Sequence, residues 1–208
     1  PGGVCLHRGC IPSKALLHAA GLLHDAREAK AIGIVFGEPT IDLAALRAWT
    51  SSVVNQLTAG LDQLGRRRGI CYLQGRARFQ DPHRLLVTTP SGAEETVSCA
   101  YTIVATGSEP IPLPLAPASP RIMDSTAALA LADIPASLLV IGGGYIGLEL
   151  GQVYAALGSR VSMVDMLPAL LPGADRDLVE RLFARLRRSF ETIRVGTRVT
   201  DMTETADG

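Results

Sequence analysis

Two early stretches of the chain carry apolar residues at the period of a helix. From Cys10 an alanine- and leucine-rich segment runs to about Ile32, and Pro12 near its start suits a first helical turn, where a missing N–H costs nothing. A second stretch begins near Asp42 and sets Leu43, Leu46, Trp49, Val53, Leu57, Leu61 and Leu64 three and four residues apart, before Gly65-Arg66-Arg67-Arg68-Gly69 ends it. The two are expected to pack as a helical hairpin. The arginine run complements the negative end of a helix dipole, a plainer reading than an anion site. Between 70 and 105 the pattern turns to short β runs, expected at 71–73, 77–79, 85–88, 96–98 and 101–105 and parted by the turn signals Asp81-Pro82 and Pro90-Ser91-Gly92. Five prolines, at 110, 112, 114, 117 and 120, exclude helix and strand there and mark a linker. Beyond it the pattern predicts a short helix over 125–131, a strand at 138–141, a glycine turn and a helix to about 157. A strand at 160–164, a helix over about 175–188 and a strand near 193–199 follow. Strands alternating with helices in this half indicate an α/β fold.

The most informative turn is Gly142-Gly143-Gly144-Tyr145-Ile146-Gly147, entered from the strand Leu138-Leu139-Val140-Ile141 and opening the helix that begins near Leu148. A bare GxGxxG is weak evidence, but a strand before it, a helix after it and a second strand ending at Asp165 make it a dinucleotide-binding βαβ unit. Gly142 would make the tight turn, Gly144 would let a pyrophosphate approach the backbone, and Gly147 would allow close packing of helix on strand. The helix N-terminus would face the phosphates. Asp165 follows at about the 20-residue remove at which a carboxylate reaches the ribose hydroxyls, which favours NAD. A 2′-phosphate would be repelled there, and the next cation, Arg160, starts the strand at its opposite end.

Composition narrows the classes further. With 208 residues, 47% apolar and 19% charged, the chain has material for one large domain or two small ones. Twenty basic residues balance twenty acidic ones, which removes the usual electrostatic warrant for nucleic acid or an anionic membrane. No apolar run approaches the roughly 18 to 20 residues that span a bilayer, and no basic-then-apolar leader is visible. Small-molecule chemistry in a cytoplasmic setting is the expectation. Pro1-Gly2-Gly3-Val4-Cys5 opens inside a glycine turn without a start methionine, and Asp207-Gly208 would suit a turn, so the chain reads as a fragment.

Of four cysteines, Cys5 and Cys10 lie close together just before a predicted helix, with Gly2, Gly3 and Gly9 to let the backbone bend. A disulfide would need Cα atoms within about 4.4 to 6.8 Å. Cys10, at the helix start, should have its thiolate stabilised by backbone amides, with Cys5 further out. A zinc half-site, a static disulfide and two unrelated buried thiols compete. Zinc finds no second pair of ligands among Cys71, Cys99 and the histidines, so no metal is expected, and Cys71 and Cys99 read as core residues of β runs.

The run Gly2-Gly3-Val4-Cys5-Leu6-His7-Arg8-Gly9-Cys10-Ile11-Pro12-Ser13-Lys14 resembles the redox-active signature of the flavoprotein disulfide reductases, the class I pyridine nucleotide-disulfide oxidoreductases. Its Ile-Pro-Ser-Lys ending is most like the branch that oxidises dihydrolipoyl groups. Thr102-Ile103-Val104-Ala105-Thr106-Gly107-Ser108 is similar to the family's second FAD-contacting segment, and the likeness extends over essentially the whole chain. It implies a partial FAD-binding Rossmann-like domain with a helical hairpin and a β-meander at 1–112, a linker and connecting helix at 113–132, and the start of an NAD-binding Rossmann domain at 133–208.

By this resemblance, FAD phosphates would lie near Gly2, Gly3, Val4 and Cys5, and the isoalloxazine beside Cys10 and Lys14, with backbone contacts from Ala77, Thr106, Gly107 and Ser108. NAD would lie along Gly142, Gly143, Gly144, Tyr145, Ile146, Gly147, Leu148 and Glu149, with Asp165 on ribose and the Val199 backbone near adenine. Cys5 would exchange with dihydrolipoamide and Cys10 would pass electrons to the flavin, with Lys14 and Glu149 as the other catalytic residues. Partners would be a lipoyl-bearing protein of a 2-oxo acid dehydrogenase or glycine cleavage complex, and a second subunit in the complete homodimer. His7 and Arg8 depart from the family's usual Asn-Val. His7 is not the family's catalytic base, which belongs to a C-terminal dimerisation domain and acts across subunits. The isolated chain is therefore expected to be inactive. Two rival readings remain: another reductase of the family, acting on mercuric ion or a glutathione-like disulfide, and a nucleotide-binding module without turnover.

One expectation joins the two halves. Lys14 lies one turn into its helix and Glu149 just after the NAD glycines, so both should point to where flavin and nicotinamide meet and should form an ion pair. Lys14 and Lys30 are the two lysines in an arginine-rich chain, which suggests that position 14 needs a compact ammonium. The plainer alternative is a solvated lysine and an ordinary first-turn acid.

Overall fold

A computed structural model describes residues 1–205; the turn expected at Asp207-Gly208 lies outside them. The chain opens with a short helix, α1 (Gly3–Arg8), where the sequence pattern predicts only a bend. Six residues are too few to show a periodicity. Leu6, 5% exposed, anchors the segment, and Gly2 enters it with a left-handed φ of 117°. Helix α2 (Cys10–Glu28) follows after Gly9 alone and continues as a 3-10 turn to Ile32, where Gly33 ends it at φ 87°.

Helix α3 (Leu43–Arg67) starts where Asp42 accepts a hydrogen bond from the Ala45 N–H at 2.9 Å, a side-chain cap. It packs on α2 as the expected hairpin. Its ridge is longer than the partner it finds. Leu43 and Leu46 reach the core, and Trp49 meets the His18 ring at 6.1 Å, but Leu57, Leu61 and Leu64 are each more than 40% exposed.

Three strands, β1 (Arg76–Asp81), β2 (Arg84–Thr88) and β3 (Glu94–Ser98), form an antiparallel meander with β2 in the middle, where Leu86 and Val87 are buried. The β runs expected at 71–73 and 101–105 are not strands. Strand structure requires a partner for the backbone N–H and C=O groups, and both segments lack one, leaving Tyr72 69%, Tyr101 93% and Ile103 90% exposed.

After the proline linker come α4 (Ser125–Ala130), β4 (Ser137–Ile141), α5 (Tyr145–Leu157), β5 (Arg160–Val164), α6 (Arg176–Ser189) and β6 (Thr192–Arg194). Strands β4, β5 and β6 make a parallel sheet in that order, as βαβ crossovers require. Strand β6 stops short of the expected 193–199. Gly196 takes φ 62°, and the following amides turn to the loop after β5, with Gly196 N–H donating to the Leu167 carbonyl and Thr197 N–H to the Asp165 carbonyl.

Helix α5 is apolar on most sides because most of its sides are covered. Leu148, Val153 and Tyr154 are at most 2% exposed and form one core with Val161 and Met163 of β5, Leu186 of α6 and Leu16 and Ala20 of α2. The Tyr154 hydroxyl donates to the Ala128 carbonyl at 3.0 Å, so its polar end is satisfied in that core. Arginines tie the hairpin to the same body: Arg27 donates to the Ala156 carbonyl, and Arg47 to the carbonyls of Leu131 and Ala132. Because Leu16 is 1% exposed in this shared core, Leu16→Ala should cost about 2–5 kcal/mol. Urea unfolding should still show one transition; two separated transitions would mean that α2 and the parallel sheet do not share a core.

Candidate active site

The cysteine pair is arranged by helix ends. Cys5 lies in the middle of α1 and Cys10 is the first residue of α2, both exposed and both free thiols. Gly9 is the joint between the helices, and a Cβ there would come within 3.1 Å of the Val4 carbonyl oxygen and 3.2 Å of the Cys5 Cα. That close approach folds α1 back over the start of α2 and brings Cys5 near enough to Cys10 for the two thiols to be coupled. The neighbouring Cys10 thiol, by favouring the protonated form of Cys5, is the first cause that raises the Cys5 thiol above its ordinary value. Neither Cys71 nor Cys99 joins the pair. Cys71 is exposed in coil rather than in the core, and Cys99 follows β3 with its sulfur 3.0 Å from the Thr102 hydroxyl. His7 turns back, its Nε2 3.0 Å from the Pro1 carbonyl oxygen.

One turn into α2, the Lys14 ammonium donates to Glu149 Oε1 at 2.6 Å, across 135 residues of sequence. Their side chains are 60% and 23% exposed. A pair this open contributes at most about 1 kcal/mol to stability, so its consequence is positional: it links the first turn after Cys10 to the helix behind the glycine turn. Ser13, to which the sequence pattern assigns no role, joins the pair. It is 7% exposed and donates to Glu149 Oε2 at 3.1 Å. No spacing rule points to that contact, because its partner is on another helix.

The glycine turn has the expected shape. Gly142 takes φ 110°, and a Cβ on Gly147 would fall 2.2 Å from the Gly142 carbonyl oxygen and 3.0 Å from Val140 Cγ1, so helix and strand close to this distance only with glycine. A Cβ on Gly144 would meet nothing within 4 Å, and no side chain caps α5, so the amides of its first turn remain open to an anion. Asp165 is 8% exposed at the end of β5. Its Oδ2 accepts the Gly143 N–H at 2.5 Å and its Oδ1 the Leu167 N–H at 2.7 Å. The carboxylate is thus a brace for the turn, with acceptor capacity to spare, since an ionised carboxylate offers about four lone-pair sites.

The remaining predicted residues fall into two groups. Gly2 and Gly3 make the left-handed entry to α1, and Gly107, at φ 83°, lies so close to Val4 that a Cβ would sit 3.0 Å from Val4 Cγ2; the 106–108 loop therefore lies against α1. Ala77 sits on β1 opposite Val87, and Val199 lies in the irregular segment beyond β6. Among the described residues there is no cluster of side chains suited to a metal ion, and no helix long and apolar enough to cross a membrane.

Two free thiols at adjoining helix ends thus stand beside an ion pair that reaches a GxGxxG turn. The chain belongs to the pyridine nucleotide-disulphide oxidoreductase family, whose model matches residues 1–207. It is 44% identical to the dihydrolipoyl dehydrogenase of Vibrio parahaemolyticus, over all of this chain and 43% of that protein. It is 42% identical to that of Thermus scotoductus, over all of this chain and 44% of that protein. The crystal structure of LpdA from Mycobacterium tuberculosis superposes with a TM-score of 0.86 at 26% identity, covering all of this chain and 46% of that one. The chain thus spans less than half the length of these relatives. Its α/β fold matches the FAD-binding Rossmann-like part of the family, and membership implies a flavoprotein.

The coupling of Cys5 to Cys10 has a measurable consequence. A raised value keeps Cys5 protonated to higher pH, so its alkylation by iodoacetamide should have a midpoint above the ordinary thiol value of about 8.5, and Cys10→Ala should bring it down. Peptide-resolved mass spectrometry across pH reads this directly. A midpoint at or below the ordinary value would contradict the influence of Cys10 on Cys5.

Proposed function

We propose that this chain is the redox-active part of a flavoprotein that oxidises protein-bound dihydrolipoyl groups with NAD as the final acceptor. The observation that carries the proposal is the folding of α1 back onto α2, which brings Cys5 towards Cys10 one turn from Lys14, whose ammonium is bonded to Glu149 behind the glycine turn. The 44% identity to dihydrolipoyl dehydrogenases supports the choice within the family.

In the oxidised state Cys5 and Cys10 would share a disulfide. One thiolate of the substrate dithiol attacks the Cys5 sulfur, forming a mixed disulfide and releasing Cys10 as thiolate. The second substrate thiolate then attacks the substrate sulfur of that mixed disulfide, closing the lipoyl ring and releasing Cys5, which takes up a proton. Two electrons and a disulfide bond are exchanged, and the dithiol's second proton goes to a base. The upward shift of Cys5 suits this product, because it keeps the proton on the exchanging thiol.

FAD, held by the left-handed turn at Gly2 and Gly3, by Val4, Lys14 and the Thr106 to Ser108 loop, with Ala77 as a further backbone contact, would supply a two-electron acceptor beside Cys10. The closeness of Val4 to Gly107 fits such a cradle, because it brings the two segments to one place. The open approach at Gly144 and the uncapped start of α5 fit the phosphates of NAD along Gly142 to Glu149. Asp165, with lone pairs left beyond its two backbone bonds, is available to the ribose hydroxyls, and Val199 lies on the adenine side of this reading. A lipoyl-bearing domain, a second subunit and a cytoplasmic location complete the proposal.

The test is steady-state kinetics on the complete flavin-loaded protein. NADH-dependent lipoamide reduction should be present, should exceed the NADPH rate by at least about tenfold through repulsion at Asp165, and should be lost by several orders of magnitude in Cys10→Ser. Reduction of a glutathione-type disulfide with NADPH in place of this activity would favour the sister enzymes of the family.

A further inference from the structure

We infer that Ser13 is a positioning residue that locks the Glu149 carboxylate and, through it, the Lys14 ammonium, so that the redox helix and the nucleotide turn keep one fixed alignment; this rests on the redox reading above. Ser13 Oγ lies 3.1 Å from Glu149 Oε2 and 3.2 Å from the Cys10 carbonyl oxygen. A hydroxyl has one proton to donate, and an ionised carboxylate attracts it more strongly than a neutral carbonyl does. Lys14 occupies the other oxygen, Oε1, at 2.6 Å. A carboxylate held at one oxygen still turns about its last bond. Held at both, it does not.

Helix geometry shows that this grip is not incidental. Successive residues of a helix point in different directions, so adjacent side chains do not ordinarily share a partner. Ser13 and Lys14 meet on one carboxylate only because Glu149 stands over the first turns of α2, where α5 crosses it. The two grips also differ in kind. Lys14 is a long side chain, 60% exposed, with much rotamer freedom to lose, whereas Ser13 is short, buried and already ordered. The serine therefore fixes where the carboxylate stands, and the lysine follows it. The Cys10 carbonyl within reach of the same hydroxyl brings the first residue of the redox helix into the arrangement. The competing role for Ser13 is a local bond to that carbonyl alone, which would leave Glu149 and Lys14 indifferent to its removal.

The experiment compares the complete flavin-loaded protein with Ser13→Ala, Glu149→Ala and the double variant. Lys14 accessibility is read by a brief acetic anhydride pulse and peptide mass spectrometry, with exposed Lys30 as the reference on the same chain. Ser13→Ala should raise the ratio of Lys14 to Lys30 labelling at least about threefold and lower kcat about tenfold while KM for NAD stays within about twofold, as loss of a hydrogen bond to a charged group implies. In the Glu149→Ala background the same change should add less than about twofold to either readout, because the residue through which Ser13 acts is gone. An unchanged labelling ratio, or effects that multiply in the double variant, would overturn the inference. Should the parent protein show no NAD-linked turnover, the redox reading fails, while the labelling ratios still decide for or against the Ser13 lock.

Discussion

Glu149 is held from outside its own helix, and the arrangement of the site depends on that contact. Its carboxylate stands on α5 and both of its oxygens are taken by α2, so the helix that begins with Cys10 and the helix that begins at the glycine turn meet at a defined point. Beneath the polar contact, Leu16 and Ala20 of α2 share a core with Leu148, Val153 and Tyr154 of α5. The division of labour follows from magnitudes. Each buried aliphatic side chain stabilises by roughly 1.5–3 kcal/mol, whereas an exposed ion pair contributes at most about 1 kcal/mol. The apolar contact holds the helices together, and the polar one sets which turns face each other.

The glycine turn shows the same separation of strength from placement. Asp165 accepts two backbone N–H groups and so fixes the turn at Gly143, while Gly147 allows the helix to approach Val140 and the Gly142 carbonyl. A site of this kind is shaped by absent side chains as much as by present ones. Open space at Gly144 and crowding at Gly147 give two glycines of one motif opposite tasks.

Much of this was legible in the pattern of residues. The βαβ unit is marked by its strand, its glycines and its acid, each with a mechanism that works within a few residues, and the elements from β4 to α6 lie where periodicity puts them. The Lys14 and Glu149 contact was also within reach, because charge and position relative to two helix starts suffice to suggest it. Features that depend on a neighbour were not legible. Helix α1 is too short to display a period and is anchored by one leucine, and the segments at 71–73 and 101–105 have the composition of strands but no strand beside them. Ser13 was hidden for the same reason. A serine in a helix says nothing about a carboxylate 136 residues away until two helices are seen to cross.

The segment from Tyr101 to Ala105 bears on how the chain behaves in a tube. Tyr101, Ile103 and Val104 are 93%, 90% and 67% exposed on a backbone that has no strand alongside it. An apolar, β-prone stretch with open N–H and C=O groups is a template on which another chain can add a strand, and it carries no charge or proline to block the addition. Concentrated solutions of this chain will therefore tend towards self-association by edge pairing, and a lysine introduced at Ile103 is the direct remedy.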